Sequence, residues 1–233
     1  MNQVVVTDPP RASLDDATQL GVFGVATVHE AMGRVGYLGP TIRPAWPGAR
    51  IGGTAVTAVC WPGDNLMIHV AVEQCRDGDV LVVAVNSACQ DGLFGELLAT
   101  ALAYRGVRGV VLGCGVRDVA ELREMGFPAW SSAVSAQGSV KQTLGSVNTP
   151  IIVGGQLIHP GDIVVADDDG VVCVPRLSAR ATITASAARE KKEAASREAF
   201  QQGELGLDRY DLRPKLDQLG LTYQPYDPQR NTK

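Results

Sequence analysis

The sequence predicts an α/β protein whose short strands form a closed or swivelling β/α sandwich. Two apolar runs, residues 80–85 (VLVVAV) and 109–112, flank a helical pattern at residues 92–105. Such a β-α-β crossover is nearly always right-handed, with parallel strands. Pro-Gly-Asp turns recur at residues 62–64 and 160–162 and indicate stacked short strands. We therefore expect a single domain over the 233 residues.

The N-terminal part carries two short helical patterns, at residues 13–24 and 27–32. Residues 36–53 contain three prolines and many glycines, which predicts a loop with short strands. His29 and Glu30 are adjacent on the second helix, where neighbouring side chains diverge by about 100°. We expect them to have supporting roles rather than to share a metal ion.

The remaining elements follow from periodicity and turn residues. Predicted strands cover residues 53–60, 127–130, 151–153, 163–166 and 171–174, and predicted helices cover residues 66–75, 118–125 and 178–202. Asp167, Asp168 and Asp169 precede a glycine between two strands, which favours a tight turn over a metal site. From about residue 178 we expect a C-terminal helical extension. The polar tail after residue 220 is predicted to be disordered at its end.

Residues 91–121 hold the predicted site. Parallel strands bind ligands outside their carboxyl ends, so the free amides of the 92–105 helix should face the same crevice as Glu96, Arg117 and Asp118. Helix amides and an arginine suit an organic anion, and carboxylates suit Mg²⁺ or Mn²⁺. This combination favours a small chelating anion such as a 2-oxo acid.

A structural interpretation of the same residues stays open. Asp118, two intervening residues and Glu121 also fit a helix capping box. Arg117 alone also fits an ordinary surface arginine. The two interpretations are compatible if one oxygen of Asp118 caps the helix.

Composition excludes several classes of protein. The net charge is −4, and no basic patch indicates nucleic-acid binding. No apolar run approaches the ~20 residues of a membrane helix, and the N-terminus lacks the pattern of a signal peptide. The five cysteines form no C-x-x-C pair, which favours reduced, buried thiols and a cytoplasmic location. Cys114 lies nearest the site, but no histidine is close in sequence to activate it.

Several segments together carry a family resemblance. They are ATVHEAMGRVG (26–36), GTAVT (53–57), PGDN (62–65), DGLFGELLAT (91–100), GVRDV (115–119), TLGSVN (143–148), PGDIVVADDDGVVCVP (160–175) and GLDRY (206–210). In these segments the chain resembles bacterial 4-hydroxy-4-methyl-2-oxoglutarate / 4-carboxy-4-hydroxy-2-oxoadipate aldolases. These belong with proteins resembling the regulator of ribonuclease E activity (RraA-like). The family signature is matched by Glu96, Arg117, Asp118 and Glu121.

The resemblance implies an αββα sandwich with a swivelling core and a divalent-metal-dependent lyase activity that releases pyruvate. It implies Mg²⁺ or Mn²⁺ on Asp118, mostly through water, and an enolate stabilised by Arg117. It implies that Glu96 positions a proton-shuttling water. The amides of Gly95, Glu96, Leu97 and Leu98 would hold the substrate carboxylate.

The resemblance also implies assembly and physiology. Glu193 would reach the metal site of a neighbouring subunit in a homotrimer or a pair of trimers. Oxaloacetate decarboxylation would be a side activity, and the pathway would be bacterial breakdown of aromatic acids. Some family members carry aspartate where this chain has Glu96, whose side chain is one methylene longer.

Two other classes of function share features with this sequence. A non-catalytic binder resembling the ribonuclease regulator shares the fold, so fold does not separate it from an aldolase. A phosphohistidine domain needs an exposed histidine on a glycine-rich turn, which His29, His69 and His159 do not supply convincingly. A Schiff-base aldolase is disfavoured because Lys141 is the only lysine before residue 190.

Overall fold

The computed structural model describes residues 3–226. The helices are α1 (Leu14–Phe23), α2 (Val25–Ala31), α3 (Leu66–Gln74), α4 (Glu96–Tyr104), α5 (Val119–Glu124), α6 (Ala179–Gln201), α7 (Gly206–Arg209) and α8 (Arg213–Gln218), with a 3₁₀ turn at Arg176–Ser178. The strands are β1 (Arg43–Pro44), β2 (Ile51–Cys60), β3 (Asp79–Val85), β4 (Gly92–Phe94), β5 (Gly109–Val116), β6 (Ala129–Val134), β7 (Ser146–Val147), β8 (Ile151–Val153), β9 (Gln156–Ile158), β10 (Ile163–Asp167) and β11 (Gly170–Val174). The predicted end of the tail lies outside the described residues.

One mixed sheet organises the fold, in the order β1-β6-β5-β3-β2-β10-β11. Strands β2, β3, β5 and β6 are parallel, whereas β1, β10 and β11 pair antiparallel at the two ends. The chain just before β1 reaches across to β11, where the Leu38 amide donates to the Val171 carbonyl at 3.0 Å. The sheet is therefore nearly closed, and the predicted α/β class is confirmed.

Alternation along the strands sends side chains to two sides of this sheet. In β2, Ala55 belongs to a core enclosed by the sheet, while Val56 joins a second core beneath α3, α4 and α5. A third core lies between α1, α2 and strands β10 and β11. Strands buried on both faces read as continuous apolar runs, which explains why VLVVAV was recognisable from sequence.

The central unit differs from its prediction at both ends. The helix expected from residue 92 begins at Glu96, because Gly92–Phe94 forms the short parallel strand β4 beside β5. The strand expected to end at Leu112 continues to Val116. Both changes have one cause: a Cβ on Gly115 would lie 2.2 Å from the Gln90 carbonyl oxygen, so glycine alone lets the two backbones approach.

The two Pro-Gly-Asp turns place buried carboxylates that bind backbone amides. Asp64 is 3% exposed and accepts amides from its own turn and from the segment 139–143, and Asp162 is 4% exposed. The amide donors to Asp64 are those of Leu66, Gln142 and Thr143, and the donors to Asp162 are those of His159 and Arg176. These aspartates therefore fix chain crossings as well as turns.

The chain packs as two compact units, one up to Arg189 and one from Glu190 onward. In the second unit α7 and α8 follow the end of α6, and most apolar side chains are exposed. The long predicted helix is confirmed to within about one residue at each end. Among the described residues, every helix is too short or too polar to span a lipid bilayer.

Candidate functional site

Strand β4 brings the predicted site residues together. Gly92 pairs with Gly115 and Phe94 with Val116, so α4 begins directly beside the end of β5. The Arg117 amide donates to the Phe94 carbonyl at 2.9 Å. The start of α4 and the Arg117–Asp118 pair therefore share the carboxyl edge of the parallel strands, as the sequence predicted.

Asp118 faces α4 and not its own helix. It occupies the residue before α5 with a left-handed backbone (φ 56°) and makes no side-chain cap to that helix. Its Oδ2 accepts the Glu96 amide at 3.1 Å and lies 3.6 Å from Nε of Arg117. The capping box with Glu121 is therefore wrong, because the left-handed backbone turns the carboxylate toward α4. The side chain of Asp118 remains 37% exposed.

Gly95 makes this approach possible. A Cβ at position 95 would lie 2.2 Å from Oδ2 of Asp118 and 3.0 Å from Cγ of Arg117. The φ of Gly95 is −157°, an extended backbone that any residue adopts. Glycine is therefore required at this position because there is no space for a side chain. The glycine is thus a packing condition for the carboxylate to reach the helix start.

The first turn of α4 presents open amides. The residues four positions before Leu97 and Leu98 lie in β4 and not in the helix. Their carbonyls accept other donors: Asn65 Nδ2 donates to the Leu93 oxygen at 2.9 Å and the Arg117 amide to the Phe94 oxygen. Within the described chain, the amides of Leu97 and Leu98 have no acceptor. Unpaired amides at a helix start favour an incoming anion.

Glu96 and Gly95 differ from these two amides. The Glu96 amide already donates to Asp118, and its carboxylate accepts the Thr100 hydroxyl at 2.8 Å along the helix. Gly95 precedes the helix, and the first intrahelical bond runs from Ala99 to the Gly95 carbonyl at 3.1 Å. Their substrate contacts remain predictions, as does the water positioned by Glu96.

The glycine- and serine-rich composition of residues 134–147 predicts a segment that crosses back over the sheet, but it indicated no part in the site. The structure shows that residues 135–143 form a wall of the crevice. The Ser135 amide donates to the Val116 carbonyl at 2.9 Å, and the Gly92 amide to that of Gln137 at 2.9 Å. A Cβ at Gly138 would lie 3.4 Å from an Arg117 guanidinium nitrogen. A further sequence signal was the repeated Pro-Gly-Asp turn, whose Asp64 holds the far end of the segment.

The environment of Asp64 favours its ionised form. Burial raises the pKa of this carboxyl. Hydrogen bonds from the amides of Leu66, Gln142 and Thr143 lower the pKa by more than burial raises it. The net pKa is below the ordinary 3.8. The carboxylate is therefore charged when it anchors the wall.

The few carboxylate oxygens at the crevice suit a metal ion that keeps most of its bound water molecules. No group of three His, Cys, Asp or Glu side chains within residues 3–226 is arranged to hold a metal. At the crevice Asp118 offers Oδ1, because Oδ2 already accepts the Glu96 amide. Mg²⁺ is commonly held by one or two carboxylates plus water and substrate oxygens. The residues present fit that mode.

The other candidate residues from the sequence lack surroundings that would activate them for catalysis. Cys114 is fully buried, and burial raises the pKa of its thiol far above the ordinary 9.0, which keeps it protonated. Lys141 is exposed on the wall segment rather than enclosed in an apolar pocket. Glu30 bonds Arg34 at 3.0 Å, consistent with a supporting role. His159 is exposed, on a turn with a single glycine.

Glu193 belongs to the C-terminal unit. There it lines a cleft of about 520 Å³ with Ser196, Arg197, Phe200, Gln201 and Tyr210. Its role at a neighbour's metal site remains a prediction.

The fold and crevice define the class: an α/β protein whose nearly closed sheet presents open helix amides, a guanidinium and a carboxylate at one edge. Residues 25–173 match the family described as "RraA-like: Aldolase/RraA". The chain belongs to this family, and the resemblance inferred from sequence is confirmed.

Similar proteins agree with this membership. The chain is 29% identical to a Halalkalibacterium halodurans protein over 71% of this chain and 79% of that protein. It is 37% identical to a Burkholderia multivorans protein over 61% and 86%. Both are named "Putative 4-hydroxy-4-methyl-2-oxoglutarate aldolase".

Solved structures show the same fold. An uncharacterized Pseudomonas syringae protein superimposes with a TM-score of 0.75 at 25% identity, covering 84% of this chain and 97% of that one. Streptomyces coelicolor RraAS2, described as an unusual member of the RNase ES inhibitor RraA protein family, gives 0.73 at 27% identity, covering 82% and 99%.

Proposed function

We propose that this protein is a metal-dependent pyruvate aldolase. The substrate would be 4-hydroxy-4-methyl-2-oxoglutarate, cleaved to two pyruvates, or 4-carboxy-4-hydroxy-2-oxoadipate, cleaved to pyruvate and oxaloacetate. The names of the similar bacterial proteins support the lyase class. Breakdown of aromatic acids in the cytoplasm is the proposed setting.

One observation carries the proposal: the open amides of Leu97 and Leu98 lie at the same sheet edge as the Arg117–Asp118 pair. A 2-oxo acid needs an anion site for its carboxylate and a positive group near its keto oxygen. Cleavage of the C3–C4 bond leaves the electron pair on the pyruvate fragment as an enolate. Stabilisation of such developing charge is usually the largest catalytic contribution.

Each residue then has a defined part. The amides of Leu97 and Leu98 hold the 2-oxo acid carboxylate, with Gly95 and Glu96 shaping the helix start. Arg117 donates to the enolate oxygen. Glu96 orients a water that takes the proton from the C4 hydroxyl as the bond breaks. Asp118 fixes the Glu96 amide through Oδ2 and keeps Oδ1 for a cation.

A divalent ion, Mg²⁺ or Mn²⁺, would supply Lewis-acid stabilisation of the same negative charge. Asp118 would hold it, mainly through water, with Glu193 of a neighbouring copy as a further contact through water. Oxaloacetate decarboxylation yields the same enolate, so we expect it as a side activity.

The proposal includes assembly as a trimer or a pair of trimers. In the C-terminal unit, Ser196 is the single buried residue among those the structure describes, and apolar side chains such as Leu205 and Leu219 are 57% and 72% exposed. A short segment that buries so little apolar surface is not expected to be stable alone. Docking on another copy would cover it.

The test is pyruvate release from both substrates, followed with lactate dehydrogenase. We expect turnover with Mg²⁺ or Mn²⁺, loss in excess chelator and recovery when metal is restored. Turnover unchanged by chelation would reject metal dependence. No cleavage of either substrate, with the protein folded and metal supplied, would reject the aldolase.

A second candidate function is non-catalytic regulation of a ribonuclease. The similarity to Streptomyces coelicolor RraAS2 favours it. Direct binding to a purified RNase E-type enzyme, together with absent cleavage activity, would support this alternative.

A further inference from the structure

A second cleft, beside the turn at residues 159–162, has the features of a small-molecule site. Its volume is about 410 Å³, and it shares no residue with the crevice at Arg117. We name it the proline cleft after five of its lining residues: Pro9, Pro10, Pro150, Pro160 and Pro175. Proline rings fix the backbone, so these walls lose little freedom when a ligand binds.

Two side chains with nitrogen donors, those of His159 and Arg176, line the proline cleft. Within the described chain, no ion pair or side-chain hydrogen bond engages the guanidinium of half-buried Arg176 or the imidazole of exposed His159. The positive charge of Arg176 at the cleft is therefore available to an incoming anion.

The buried carboxylate of Asp162 fixes both residues. Its Oδ1 accepts the Arg176 amide and its Oδ2 the His159 amide, each at 2.9 Å. The two side chains therefore start from neighbouring points on the rim. Both oxygens of Asp162 already accept amide hydrogens.

Asn148 adds an acceptor at the same cleft. It is 3% exposed and held in a left-handed backbone (φ 56°). Its amide donates to the Thr57 carbonyl at 2.8 Å and its Nδ2 to the Val6 carbonyl at 2.9 Å. Its Oδ1 is buried and receives no hydrogen bond from the described residues. Buried acceptors are normally satisfied, so this atom indicates a missing donor.

We propose that the proline cleft binds a small aromatic carboxylate. The guanidinium of Arg176 matches a carboxylate with two parallel hydrogen bonds, and His159 supplies another donor. Flat rings suit proline walls, the contact that proline-rich peptides make with aromatic grooves. Because Oδ1 of Asn148 is buried in the structure, a hydroxyl on the ring donates to it only after the cleft wall moves on binding. The volume lies in the range of small-molecule sites.

The probe for this site is 4-hydroxybenzoate, titrated into the full chain by calorimetry. Acetate, which lacks the ring, and phenol, which lacks the carboxylate, serve as comparison ligands. We expect 4-hydroxybenzoate to bind more tightly than either. Arg176→Gln should weaken it at least ~10-fold, as expected for losing a charge-assisted bidentate contact.

Arg180→Gln is the matched control. It removes the same charge one turn further on, from a side chain that is 77% exposed and pairs with Asp16 at 2.9 Å outside the cleft. It should leave binding unchanged. Arg176 has no side-chain partner, so its variant should melt like the parent.

Three results would overturn the proposal: no binding by the parent protein, equal weakening by both glutamine variants, or loss of binding in Arg117→Lys. The second would assign binding to net charge and the third to the crevice at Arg117. The proposal does not depend on the aldolase, so its test stands whatever the pyruvate assay shows.

Discussion

The backbone conformation of Asp118 decides what its side chain does. An extended residue before a helix returns its carboxylate to the amides of its own helix. At φ 56° the carboxylate of Asp118 instead reaches the Glu96 amide. One residue thus links β5 to α4, and Oδ1, which accepts no hydrogen bond from the described residues, is the freer oxygen for a cation.

Asp118→Asn tests the metal assignment. Asparagine keeps an oxygen for the Glu96 amide and tolerates the left-handed backbone, but it loses the charge that holds a dication. We expect aldol cleavage to fall by orders of magnitude, with the melting temperature nearly unchanged. Asp15→Asn, at an exposed position of α1, is the control and should keep full activity. Near-normal turnover of Asp118→Asn with Mg²⁺ would contradict the assignment.

Gly95→Ala tests the contact geometry without changing any charge. The added methyl would lie 2.2 Å from Oδ2 of Asp118, so the carboxylate must move. We expect turnover to fall at least ~10-fold and stability to drop by about 1–3 kcal/mol, as for other overpacked sites. Gly206→Ala is the matched control, because its Cβ would meet nothing nearer than 3.9 Å. Equal activity of the two variants would show that the carboxylate position is unimportant.

Arg117→Lys separates charge from geometry. Lysine keeps the positive charge but lacks the planar fork. We expect turnover to fall at least ~10²-fold, the usual effect of losing one donor to a developing oxyanion. Steady-state kinetics distinguish stabilisation of the enolate, which affects kcat, from binding of the substrate, which affects KM. A rise in KM with kcat intact would make Arg117 an anchor for bound substrate.

At the scale of elements, β4 is the part that sequence periodicity misassigned. Residues 92–105 carry apolar side chains at helical spacing, and local pattern alone extends the helix to Gly92. Gly115, 21 to 23 residues away along the chain, permits β4 to pair with β5. A pairing of this kind depends on a distant residue, so a local pattern does not reveal it.

Asp64 gives a prediction for the wall segment 135–143. Because the folded pKa of Asp64 lies below its ordinary 3.8, its stabilising contribution is complete above that pH and is lost as pH falls through the folded pKa. We therefore expect the amides of Gln142 and Thr143 to lose protection from hydrogen exchange on acidification below about pH 3.8. In Asp64→Asn the same amides should be less protected at neutral pH. Protection that is independent of both changes would contradict the anchoring role.

At the scale of the whole molecule, the C-terminal unit raises the question of assembly. Its apolar side chains are largely exposed, as Phe200 (42%) and Leu221 (50%) show. Closed cyclic assembly would place this unit of one copy on another copy through a heterologous contact. Glu193 would then complete a neighbour's site.

Complementation tests this arrangement. Asp118→Asn and Glu193→Gln chains are each expected to be inactive alone. After joint unfolding and refolding, some interfaces carry native residues from both chains, so pyruvate release should partly return. Mass measurement must show mixed oligomers. If mixed oligomers form and stay inactive, Glu193 does not act between subunits.

The sequence by itself determined the α/β class, the parallel central unit, the long C-terminal helix and the grouping of Glu96, Arg117 and Asp118 at one sheet edge. These follow from periodicity, turn residues and the handedness of crossovers, which are local or general properties. Only the tertiary structure decided that Asp118 faces α4, that Gly95 makes room for it and that Asp64 holds the wall. It also created the proline cleft, whose residues come from positions 9 to 177. Such contacts join residues far apart in sequence through close packing, and no local pattern encodes that distance.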